Sequence, residues 1–67
     1  MSTEQQLTEA HKLIQNGLYA DSIKILKELA TSCQDFNISY LLGVAHQKTD
    51  NFNEAAKYYN DAIRLKT

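Results

Sequence analysis

The chain contains no proline and no tryptophan, one cysteine, and only two glycines, Gly17 and Gly43, in 67 residues. An all-β domain of many short strands needs more turn residues than this, so the shortage points to helices joined by very short turns. Cys33 has no partner for an internal disulfide, and with two histidines it falls short of a usual four-ligand structural zinc site. No apolar run exceeds Tyr40-Leu41-Leu42, far below a membrane span. Met1-Ser2-Thr3-Glu4 carries neither the basic nor the apolar region of a signal peptide, so a reduced, cytoplasmic setting is expected. Charge of one sign is lacking too. Seven Lys and Arg stand against eight Asp and Glu, a net charge of -1, which argues against electrostatic binding of nucleic acid. What is present is 43% hydrophobic and 22% charged residues, the balance of a globular chain rather than a disordered one. A chain this short must offset roughly 1.5 kcal/mol of ordering entropy per residue, so help from an identical copy or another chain is expected.

The apolar spacing is helical throughout. Leu7, Ala10, Leu13 and Ile14 recur at steps of three and four, as do Ser22, Leu26, Leu29 and Cys33. Tyr40, Gly43, Val44 and Gln47 mark a third stripe, and Phe52, Ala55, Tyr59, Ala62 and Ile63 a fourth. Ser2 and Gln5 stand at capping-box spacing, so the first helix opens near Thr3, and Asn16-Gly17 stops it. The second helix then spans about Tyr19 to Ser32. Asp35 is a good N-cap for the third, about Phe36 to Thr49. Asp50-Asn51 forms the next turn, Asn51 and Glu54 repeat the capping-box spacing, and the fourth helix reaches about Lys66.

A shift of about 33 residues superposes the two halves in kind. Ala10 falls on Gly43, Gly17 on Asp50, Tyr19 on Phe52, Ser22 on Ala55, Leu26 on Tyr59 and Leu29 on Ala62. Two antiparallel helices approach closest where both side chains are small. Gly43 opposite Ala55 is expected to make that contact and Ala10 opposite Ser22 to echo it, with Leu42, Phe52, Tyr59 and Leu26 filling the space on either side. Gly43 costs about 0.8–1.0 kcal/mol against Ala inside a helix, which a close approach would explain.

The second half, with Leu42-Gly43, Phe52, Ala55, Tyr59 and Ala62 at the required spacings, resembles a tetratricopeptide repeat. His46 stands where that family usually has Tyr, and Thr67 where it commonly has Pro. The first half fits more loosely through Gly17, Tyr19, Ser22, Leu26 and Leu29. The resemblance implies an all-α fold: one domain over residues 1–67, a degenerate repeat at about 3–34 and a clearer one at about 36–67. These two antiparallel hairpins would stack as a short right-handed solenoid. It also implies a concave groove for a helix or extended peptide of a partner protein. Glu4, Leu7, His11, Ile14 and Gln15 would line it in the first repeat, and Asn37, Tyr40, Val44, Gln47 and Lys48 in the second. Where relatives that grip a C-terminal carboxylate place Lys and Asn, this chain has Leu7, His11, Tyr40 and Val44, so the groove is moderately apolar and suits an amphipathic helix. In the plainer alternative, Leu7, Ile14 and Val44 are core residues of a four-helix bundle.

No cluster recommends chemistry. His11 and His46 lie on different helices without a carboxylate at ligand spacing, and His46 is expected in the core and His11 in solvent. Cys33 falls on an apolar stripe and reads as a buried, inert thiol. Phosphate-loop, HExxH and CxxC signatures are missing, and Asp21/Lys24 and Asp61/Arg64 read as solvated surface pairs. No enzyme activity, metal or cofactor is expected. A repeat hairpin covers its second helix with the first helix of its successor. Tyr58, Tyr59, Ala62 and Ile63 are therefore expected to leave apolar surface on the fourth helix for a second copy or another protein. The expected function is an interaction adaptor, and the alternative a structural subunit that self-associates or joins a larger assembly. A 67-residue chain could equally be the first piece of a longer repeat protein.

Overall fold

The computed structural model describes residues 3–32 and 35–66. Among them are four α-helices and no strand: α1 Thr3–Gln15, α2 Tyr19–Ser32, α3 Phe36–Lys48 and α4 Phe52–Lys66. The all-α reading and the helix limits agree, with Thr49 the C-cap of α3 rather than its last residue. The capping-box partner Ser2 and the thiol of Cys33 lie outside the described residues.

The turns after α1 and α3 are two copies of one device. Leu18 N–H donates to the Leu13 carbonyl at 2.8 Å and Gly17 N–H to that of Ile14 at 3.1 Å. After α3, Asn51 N–H donates to the His46 carbonyl at 2.8 Å and Asp50 N–H to that of Gln47 at 3.1 Å. Both are Schellman closures, which need a left-handed residue just past the helix. Gly17 and Asp50 supply it with φ of 80° and 64°. They are the very positions that the internal shift superposes. Asp35 caps α3 by accepting from Asn37 N–H at 2.8 Å. At α4 the Asn51 side-chain amide N–H donates to Thr49 Oγ1 at 3.0 Å, and among the described residues no bond between its Oδ1 and the first turn of α4 completes the expected capping box.

These turns fold each helix pair into a hairpin, and α3 joins the hairpins by packing against α1, α2 and α4. Its sequence accounts for that place: Ile38, Leu42, Gly43, Ala45 and His46 are all buried, too many to lie on one narrow stripe. One core runs through Ala10, Ile14, Leu26, Leu29, Ile38, Leu42 and Ala45. In the first hairpin the small-residue contact is as expected, with Ser22 Oγ donating to the buried Ala10 carbonyl at 3.0 Å. In the second hairpin the residue nearest the glycine is an aromatic: a Cβ on Gly43 would meet Tyr59 Cδ1 and Cε1 at 2.7 Å, so the ring of Tyr59 sits directly against it.

Phe52 is a second correction. It is 61% exposed and fills no interior space, whereas its counterpart Tyr19 packs against the core. The helix environment explains the difference. Tyr19 begins α2, which lies between α1 and α3, whereas α4 approaches only α3 among the described helices. A side chain at the start of α4 has no second helix to cover it.

Candidate functional site

The residues expected along the concave face divide between core and surface. Ile14 is only 8% exposed, and Leu7 and Val44 are half-buried against the core. His11, Asn37, Gln47 and Lys48 are exposed polar side chains. The aliphatic members of that face are therefore largely committed to holding the hairpins together. Tyr40 is the exception, an aromatic ring 47% exposed.

The four residues proposed for an oligomer surface also divide. Tyr58 turns toward α3, where its ring stacks on the buried His46 with centroids 5.3 Å apart and planes 7° from parallel. Tyr59, Ala62 and Ile63 point to the other side of α4. There they meet Tyr40, with Phe36 and Lys66, around one open groove of about 420 Å³ between α3 and α4. The fold thus gathers into one site residues that the sequence assigned to two separate surfaces.

Aromatic contacts organise the groove. Phe36 and Tyr40, one helical turn apart on α3, stack with centroids 5.9 Å apart, and Tyr40 meets Tyr59 of α4 at 6.0 Å. The Tyr59 hydroxyl donates to Gln47 Oε1 at 2.7 Å, which fixes the ring over Gly43. Burial and the neighbouring Tyr40 push the Tyr59 phenol above its ordinary range, so it stays a neutral donor. Ala62 forms the buried floor and Ile63, 60% exposed, one wall. Lys66 closes one end with its ammonium 5.2 Å from the centre of the Phe36 ring. Sequence reasoning passed over Phe36 and Lys66. Both become visible once the groove is placed by repeat position, since Phe36 starts α3 and Lys66 ends α4.

The groove is chemically simple. Apolar walls with a single cation at one end suit the buried face of a helix better than a polar small molecule, which needs several converging donors and acceptors. A second cleft of about 410 Å³ lies between the α2 end, α3 and α4, with Asp35, Ser39 and the paired Asp61 and Arg64 on its rim. No group of three or more potential metal ligands occurs among the described residues. His46 is buried with neither ring nitrogen hydrogen-bonded. Burial, aided by Lys27 and opposed by Glu54, lowers its pKa and favours the neutral ring. None of the described helices is long and apolar enough to cross a membrane.

Comparison of the chain with protein-family models, with curated proteins and with solved structures finds no match.

Proposed function

We propose that this chain is a non-enzymatic, tetratricopeptide-like interaction module of the cytoplasm that holds a helix or extended peptide of a partner protein. The observation that carries the reading is the α3/α4 groove, where Tyr40 and Ile63 stand 47% and 60% exposed beside the buried Ala62. Isolated exposed apolar residues need no explanation, but a grouped set beside a cation is the composition of a recognition site. The docking surface is thus shifted from the concave face, whose Leu7, Ile14 and Val44 serve the core, to the adjoining face that Tyr40 shares.

The test compares Ile63→Glu and Tyr40→Ala, with Val44→Ala as the variant expected to lower the melting temperature through the core rather than to act at the groove, against the unaltered chain. The expected result is loss of the native partner by Ile63→Glu at unchanged helical circular dichroism. Partner capture that survives Ile63→Glu and Tyr40→Ala together would refute the reading. The subunit alternative predicts a different readout, a concentration-dependent oligomer of the purified chain that Ile63→Glu dissolves.

A further inference from the structure

The groove has a precedent inside the same molecule. Leu26 and Leu29 share one buried cluster with Ile38, Leu42 and Ala45 of α3, and Leu7, half-buried, packs against that cluster; the three leucines form the seat on which α3 lies. Shifted by about 33 residues, that seat becomes Tyr40, Tyr59 and Ala62, three of the residues that line the groove. We infer that the α3/α4 groove is a second helix seat in the register of the first. Its occupant is an amphipathic helix of another protein, laid parallel to α3, with aliphatic side chains at i, i+4 and i+7 and an acidic residue in its first turn. The inference rests on the interaction-module reading above and specifies its ligand.

Each part of the ligand follows from a contact. The i, i+4, i+7 pattern is that of Ile38, Leu42 and Ala45, the face by which α3 occupies the first seat. Direction follows from the hairpins. The turn after α1 runs α2 back along it, and α3 runs back along α2, so an occupant related to α3 by the same step runs antiparallel to α4. Its N-terminus then lies at the Phe36 and Lys66 end. An Asp or Glu there meets the Lys66 ammonium and also the positive end of its own helix dipole.

A second copy of the chain cannot furnish this helix from its exposed end. The positions of α1 that correspond to Ile38, Leu42 and Ala45 are Gln5, Glu9 and Lys12, all exposed and polar. Burying Glu9 and Lys12 on aromatic walls would cost more than the contact returns. The α3 helix itself is already buried in its own chain. Neither α1 nor α3 of a second copy fits the seat, and the inference commits to a helix of another protein.

The probe is a fluorescein-labelled peptide with the sequence of residues 35–49, titrated with the full chain and read by anisotropy. Saturable binding is expected, weakened roughly tenfold or more by Ile63→Glu in the protein and equally by Leu42→Asp in the peptide. Lys66→Glu should weaken it several-fold at low salt and less at high salt. Absence of saturable binding overturns the inference. Binding indifferent to Ile63→Glu also overturns it, because the peptide would then have displaced α3 from the first seat. A homodimer in sedimentation that Ile63→Glu dissolves and the peptide leaves intact overturns the foreign occupant. If the peptide fails while Ile63→Glu still releases a native partner, the ligand specified here is wrong and the interaction module stands.

Discussion

Replacing Gly43 by Ala sets two effects of opposite sign against each other. Helix propensity favours alanine by about 0.8–1.0 kcal/mol in a helix interior. Against it stands the Tyr59 ring, whose Cδ1 and Cε1 would lie 2.7 Å from the new methyl and whose Cγ would lie 3.1 Å away. These atoms belong to the stiff base and edge of an aromatic ring, not to the end of a flexible chain. The ring is further held by its hydroxyl bond to Gln47 and by contact with Tyr40. Overpacking of this kind costs about 1–3 kcal/mol. The net expectation is a loss of about 1 kcal/mol, seen as a fall in Tm of roughly 4–8 °C for a domain this small. Thermal melts followed by circular dichroism read it directly. The control is the same substitution in a Tyr59→Ala background. With the ring gone, only the propensity gain remains, and Gly43→Ala should stabilise by up to about 1 kcal/mol. Gly43→Leu adds a branched side chain where a methyl already collides, and is expected to unfold the chain. A Gly43→Ala protein that melts higher than its parent with Tyr59 present would refute the reasoning.

Three further outcomes follow from the turns and the core. Asp50→Gly should raise stability by a few tenths to about 1 kcal/mol in thermal melts, because Asp50 holds a left-handed φ of 64° that glycine adopts without strain, whereas Gly17→Ala should lower it by about 1 kcal/mol or more. Ser22→Ala should cost about 0.5–1.5 kcal/mol in urea denaturation, the net worth of its buried bond to the Ala10 carbonyl. Acid should weaken the fold through His46: its folded-state pKa lies below the ordinary 6.5, so its contribution is fully present above that value and is lost as pH falls from about 6.5 through the folded-state pKa. His46→Leu should flatten that slope in pH-dependent melts and, by removing two unbonded buried nitrogens, hold or raise stability at neutral pH.

The elements of the fold were legible because their signals are local. Asp35 caps α3 as its residue type implies, and Gly17 and Asp50 close two turns at one repeat position. The same locality explains where the reading failed. Asn51 and Glu54 have capping-box spacing, yet the Asn51 side chain takes a nearer partner in Thr49. Spacing states which atoms can meet, not how the side chain turns in the folded loop. Phe52 is expected to fill space beside the small-residue contact, but burial depends on how many helices flank a position, and among the described helices α4 has a single neighbour. Gly43 is legible as a close-approach residue from its place in a helix interior, but that the Tyr59 ring lies nearest to it is a matter of three-dimensional packing, since Ala55 and Tyr59 share one helical face. At the candidate site, Tyr40, Tyr59, Ala62 and Ile63 were all singled out. That they form one groove required the placement of α4 beside α3.

The exposed apolar residues are unevenly distributed, and this bears on what the molecule does with them. Leu18 and Phe52, 48% and 61% exposed, lie beside turns, and Leu65, 40% exposed, lines the second cleft; single exposed apolar side chains of this kind are ordinary. Tyr40 and Ile63 share a groove with Phe36 and Tyr59. At the opposite end, α1 presents Gln5, Glu9 and Lys12 at the positions that would have to enter such a groove. If both ends were apolar and complementary, copies would add head to tail without closing, the arrangement that produces open filaments. The polar face of α1 is not complementary to the apolar groove, which disfavours that outcome. The consequence is measurable: Glu9→Leu with Lys12→Ala, both exposed and outside the core, should leave the monomer fold intact and promote concentration-dependent elongation in sedimentation. A double variant that stays monomeric at every accessible concentration would show that the polarity of α1 has no such role.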